Sequence, residues 1–287
     1  MHPLRQHTAR TAATTSAAAA AAALTVATLA TALGVAVATA APAGAADGAS
    51  TTTTTAATTT TTAAGSSAAT AQYNAALKAV GRQGVHFSSV AKQNGAELDV
   101  FGDAGSTAGA QTLVVKNKNV TERMSALVVG STGYVKGNEA ALQHVIGLTT
   151  AESKKYANKW LSFPTSNQGL GELVGGLLSS QVSKELEIGG PYTYGKSATV
   201  GGVKATAIIG SVATESGSKV PVVLYIPASG KPLPIEEVTN AGGKSSSDIE
   251  GTVTFSHWGE NKSQTAPTKT TSLLKLVPAS SGSTTSG

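Results

Sequence analysis

Three features of this sequence predict an α+β fold in which helices gather on one face of an antiparallel sheet. Apolar residues recur at alternate positions from Val85 to Val128 and again from Val203 to His257. Helical spacing is confined to the start of the folded part and to the stretch between those two strand regions. Short Gly- and Asn-containing turns join the strands, so the order is not the alternating βαβ of a parallel nucleotide-binding sheet.

The first helix is expected over Thr70–Gln83, where Tyr73, Ala76, Leu77 and Val80 fall on one face and Gly84 stops the run. The period then changes to two: Val85/Phe87, Leu98/Val100, Leu113/Val115 and Met124/Ala126/Val128 mark four strands, with turns such as Asn94-Gly95. Gly130 to Gly133 turns the chain into Tyr134-Val135-Lys136. Asn138 can cap a helix bearing Leu142, Val145 and Ile146, and Thr149 with Glu152 fits a capping box for a second, ending near Asn158.

A continuous helix is expected over Gln168–Leu186, because Leu170, Leu173, Val174, Leu177 and Leu178 follow the i, i+3, i+4, i+7, i+8 rule. It carries Gly171, Gly175 and Gly176, each costing about 1 kcal/mol against Ala in a helix interior. Packing must offset that, through close backbone approach to a sheet or as a pliable cover over a cavity. Strands return at Val203–Ile209, Val220–Ile226, Pro234–Thr239 and Ile249–His257, with turns at Gly201-Gly202, Ser229-Gly230 and Gly242-Gly243.

The chain ends differ from this folded part. Residues 1–45 read as a signal peptide: basic Arg5 and Arg10, an Ala-rich apolar stretch with Leu24, Leu29 and Leu33, then Ala43-Gly44-Ala45. Cleavage after Ala45 would remove two Arg and no acid, taking the formal charge from +5 to +3. Residues 46–69 form a Thr/Ala-rich linker without spaced large apolar side chains, expected to be disordered and a candidate for O-glycosylation. Residues 70–277 make one domain, and 278–287 a polar tail.

Cysteine is absent, which excludes disulfides and thiolate metal sites. The lysines are scattered, with Lys116/Lys118 and Lys154/Lys155 the densest pairs, too thin for a phosphate-tracking stripe, so nucleic acid is not an expected partner. Gly190 to Ser197 matches the phosphate-loop string, but a helical segment precedes it and β-branched, Gly-broken residues follow. Ser89 and Lys92 match SxxK on an expected strand, where the two side chains point to opposite faces. Of the histidines beyond the signal, His144 falls on the polar face of its helix, and His86 and His257 lie on strands, with Glu97 or Asp99 as candidate neighbours. No His spacing supports a metal. Glu236-Glu237 is the one adjacent acid pair, and strand neighbours face opposite ways. No catalytic residue, metal site or cofactor is predicted.

Several strings together resemble one family. Tyr134-Val135-Lys136-Gly137, then Lys159-Trp160-Leu161, then Leu224-Tyr225-Ile226 with Gly230-Lys231-Pro232-Leu233-Pro234, then Thr252 to Gly259 and Ala266-Pro267 look like the LppX/LprG-type envelope lipoproteins of actinobacteria. The likeness covers most of residues 70–270 and rests on the order and spacing of the strings. It implies a LolA/LolB-like fold: a curved antiparallel β half-barrel with helices packed on its concave face, around an apolar cavity for lipid or lipoglycan chains. This chain lacks the Cys that members carry for lipidation, and with Phe 4 and Met 2 its cavity would be lined by Leu, Val, Ile and Ala.

The expectation is therefore a secreted, non-enzymatic, monomeric protein of the cell envelope. It would bind lipid or glycolipid and make peripheral membrane contact. Candidate cavity-lining residues are Leu98, Val100, Leu113, Val115, Leu142, Ile146, Val174, Leu177 and Leu178. The alternative is an envelope or sensor protein of the same fold with a filled core and no lipid cargo.

Overall fold

The computed structural model describes residues 59–93, 95–213, 219–240 and 250–276. The expected signal segment, the first part of the Thr/Ala-rich run, the tail 278–287 and the turn residues Asn94, Gly242 and Gly243 lie outside the described residues.

Helix α1 (Thr59–Val80) begins upstream of the expected Thr70. Alanine is the best helix former, and the Thr70 hydroxyl donates to the Ser66 carbonyl at 2.8 Å, so the small-residue run continues the helix. Ala69, Tyr73, Ala76 and Val80 form its buried stripe. At its end Gly81 takes φ +46° and donates to the Leu77 carbonyl at 3.2 Å, a left-handed stop that suits glycine.

The four expected strands follow as β1 (Val85–Gln93), β2 (Ala96–Ala104), β3 (Ala108–Asn117) and β4 (Val120–Val129), an antiparallel meander extended by β5 (Thr132–Gly137). Asn138 caps α2 (Glu139–His144), its Oδ1 accepting from Ala141 N at 3.0 Å. Thr149 and Glu152 form the reciprocal capping box of α3 (Thr150–Tyr156). Strand β6 (Leu161–Pro164) then joins β5.

The continuous helix expected over Gln168–Leu186 is not formed. The segment is α4 (Gln168–Gly171), a 3-10 stretch (Glu172–Leu177), an extended Leu178, and α5 (Ser179–Glu185). Leu178 leaves the helical conformation because it bridges to Gly105 at the end of β2. The second strand region is β7 (Gly189–Tyr194), β8 (Ala198–Val200), β9 (Val203–Ala213), β10 (Lys219–Pro227), β11 (Glu236–Thr239) and β12 (Glu250–Ser256), with a short β13 (Thr271–Ser272) after it.

All of these strands lie in one sheet, ordered β13-β6-β5-β4-β3-β2-β1-β12-β11-β10-β9-β7, with β8 beside β9. Every pairing is antiparallel except β13 with β6. The two strand regions meet where β1 pairs with β12, from His86↔Ser256 to Lys92↔Glu250. The fold is thus α+β: a curved, open half-barrel whose covered face packs against helices. One core contains Tyr73 of α1, Leu142 of α2, Leu177 of the 3-10 stretch and Val182 of α5 together with Val100, Leu113, Leu224 and Val253 of the sheet.

Candidate functional site

Directly opposed residues of antiparallel strands point to the same side of a sheet. One transverse row of the covered face therefore reads Met124, Leu113, Val100, Ser89, Val253, Glu237, Leu224, Ile208, running from β4 to β9. The next reads Val115, Leu98, Ala91, Gly251, Thr239, Val222. Four of the nine candidate lining residues, Leu98, Val100, Leu113 and Val115, thus share adjacent rows. Leu142 and Ile146 come from α2 and the residues just after it, and Val174, Leu177 and Leu178 from the broken segment.

The structure brings all nine into one hydrophobic cluster. Seven are buried, while Val115 and Leu178 are half-buried and pack against the others. The 3-10 stretch contacts β2, β3 and β4, and it meets β3 at Gln111 and Gly109, on the same strand face as Leu113. One close approach is at a glycine the sequence did not single out. A Cβ on Gly109 of β3 would collide with the Leu177 carbonyl oxygen and lie 2.8 Å from that of Asp103, whereas a Cβ on Gly175 would meet nothing. Close backbone approach accounts for Gly109, and it is the sheet that supplies the glycine there.

Sequence reasoning missed two side chains on this face. Gln111 is buried beneath the 3-10 stretch; its Nε2 donates to the Leu173 carbonyl at 3.3 Å, and its Oε1 has no hydrogen-bond partner among the described residues. The signal was present, since Gln111 shares the parity of Leu113 and Val115. Glu237 is 1% exposed, lies between Leu224 and Val253, and its Oε2 likewise has no hydrogen-bond partner among the described residues. Burial, reinforced by the charge of Glu185 on α5, pushes the Glu237 carboxyl up to about 8. Its neighbour Glu236 faces the other way, as strand alternation requires.

The other motifs are not brought together on this face. The phosphate-loop string lies on β7 and the turn after it, and β8 rather than a helix follows. Ser89 and Lys92 are on β1, on opposite faces. His144 is exposed and pairs with Glu122 at 2.6 Å. The expected neighbours of His86 are corrected: Glu97 and Asp99 engage Lys116 at 2.8 and 2.7 Å, and His86 instead meets Asp103 at 3.0 Å. Burial raises the Asp103 carboxyl, but hydrogen bonds from Lys262 and His86 outweigh it and hold the group below its ordinary value. His257 packs edge-on against His86 with ring centroids 5.9 Å apart.

Pockets open elsewhere among the described residues. One of about 390 Å³ lies beside β8 and is lined by Ser197, Thr199 and Lys204. Another of about 370 Å³ lies where Gln264 and Thr265 meet Phe101, Thr112, Ser125 and Trp160. Lys262 pairs with Asp103 at 2.8 Å, and Asn261 Oδ1 accepts from Ser106 N at 3.0 Å, fixing the C-terminal strand-to-strand connection beside that second pocket. Among the described residues no helix is long and apolar enough to cross a membrane.

No family model matches the chain, and no curated protein matches it. In fold the chain resembles mycobacterial lipoproteins. LprF from Mycobacterium bovis is 15% identical with a TM-score of 0.46, over 70% of this chain and 97% of that one. LppX from Mycobacterium tuberculosis is 17% identical with a TM-score of 0.41, over 69% and 98%. MucB of the Pseudomonas aeruginosa MucA/MucB complex is 13% identical with a TM-score of 0.35, over 69% and 59%.

Proposed function

We propose that this is a secreted, non-enzymatic envelope protein that holds acyl chains between the covered face of its sheet and the segment 168–185. The observation that carries the reading is the make-up of that cover. On the β2–β4 part of that largely apolar face lies a segment of three short pieces, whose 3-10 stretch is a poorer hydrogen-bonder than an α-helix. Short pieces joined at an extended residue can move off the sheet without unfolding a long helix, and the face they would uncover is apolar. Uptake requires that movement, since the nine candidate residues are packed together.

That packing favours a second reading, in which the core is permanently filled and the protein acts through its surface. Titration of the mature protein with the neutral probe N-phenylnaphthylamine separates the two. Saturable fluorescence enhancement, with faster amide exchange confined to 168–185, supports acyl-chain uptake; no enhancement supports the filled core.

A further inference from the structure

Among the described residues the covered face holds one buried acid, Glu237, and no buried cation. The buried polar and charged residues among all those described are Gln111, Ser153, Ser179, Glu237 and Thr239, of which Gln111, Glu237 and Thr239 are on the sheet. Glu237 stands in the same transverse row as Leu113 and Val100, with Thr239 two residues along the same strand face. From the elements packed on it come Leu224 of β10 and Val253 of β12, and the charged residue acting on it is Glu185 of α5, a like charge.

Resting on the acyl-binding reading, we propose that Glu237 sets the headgroup class of the cargo: a neutral head carrying hydroxyl, ester or amide oxygens, and not an anionic one. Charge complementarity sets this choice. A phosphate or carboxylate brought onto this face would lose its water and find no Lys, Arg or His among the buried described residues, while lying near Glu185. Glu237 itself keeps its proton in this position, because an ionised carboxylate would be desolvated beside that like charge. In the neutral form it is a hydrogen-bond donor, and an oxygen acceptor on the cargo would satisfy it.

The experiment displaces N-phenylnaphthylamine from the mature protein at neutral pH with three ligands of one chain length: monolauroylglycerol, laurate and dodecylammonium. On the wild type, monolauroylglycerol should displace the probe at a concentration about tenfold lower than laurate, in line with a buried hydrogen bond gained against a charge left unpaired. Glu237→Gln, which keeps a donor, should retain the preference. Glu237→Leu should lose it, with monolauroylglycerol weakened about two- to tenfold. Melting curves of both variants check that they fold. Equal displacement by monolauroylglycerol and laurate on the wild type, a preference for dodecylammonium, or an unchanged profile in Glu237→Leu overturns the headgroup inference while leaving acyl binding standing. Failure of the probe to bind at all overturns acyl binding and the inference with it.

Discussion

Gly105 and Leu178 pair as a parallel bridge that ends one helical piece and starts the next. Gly105 N donates to the Leu177 carbonyl at 3.2 Å, and Ser179 N donates to the Gly105 carbonyl at 2.8 Å. Among the described residues the segment is therefore held to the sheet by backbone bonds at Gly105, next to the place where Gly109 lets the Leu177 carbonyl come close. Gly109→Ala should push that carbonyl away, lowering stability by about 1–3 kcal/mol. Exchange-rate mapping should show faster amides over 172–179 and unchanged ones in α3. Unaltered exchange over 172–179 would mean that this contact does not hold the cover down.

Glu237 gives the fold a predictable response to pH. Its carboxyl has a folded value of about 8 against an ordinary 4.5. Between those values the unfolded chain releases the proton and the folded chain keeps it, so this residue's contribution to stability falls as pH rises through the window and levels off above it. The slope approaches ~1.4 kcal/mol per pH unit for one full proton. Denaturant titrations of wild type and Glu237→Gln across the window should converge at its acid end and diverge with rising pH, the variant being the more stable. Parallel curves would show that Glu237 ionises normally in the folded protein.

Local signals in the sequence translated directly into structure. Asn138 and the Thr149/Glu152 box cap their helices because capping depends on residues three apart. The strand parities of Val85/Phe87, Leu98/Val100 and Met124/Ala126/Val128 survived because period two fixes the buried face. The break at Leu178 was not legible: the leucine spacing there is helical, and the bridge that overrides it comes from Gly105, far away in the chain. Glu237 was half legible. Alternation requires one of Glu236 and Glu237 to face inward, but only the register with Leu224 and Val253 says which.

Leu177 is fully buried where the cover meets the sheet. Leu177→Trp should overpack this contact and cost about 1–3 kcal/mol in cargo-free protein, while occupying space that acyl chains would use. Melting temperature and bound probe, measured on the same preparations, should both fall. Retention of full probe binding would place the acyl site elsewhere.

Export is open to a direct check. With a basic start, an apolar Ala-rich stretch and Ala43-Gly44-Ala45, the secreted chain should begin at Ala46 and be recovered from culture supernatant. N-terminal sequencing or intact mass reads this at once, and a mass above the bare cleaved chain would report glycosylation of the Thr-rich run. Recovery solely in the membrane fraction at full precursor mass would identify an uncleaved anchor.

Acyl-chain binding itself is tested most directly by mass spectrometry of an organic extract from the protein purified out of its own culture. Acyl lipid is expected in near-stoichiometric amount, with neutral heads dominating and phospholipid scarce. An extract free of acyl lipid, from protein that also fails to take up the neutral probe, would contradict it and leave the filled-core reading in its place.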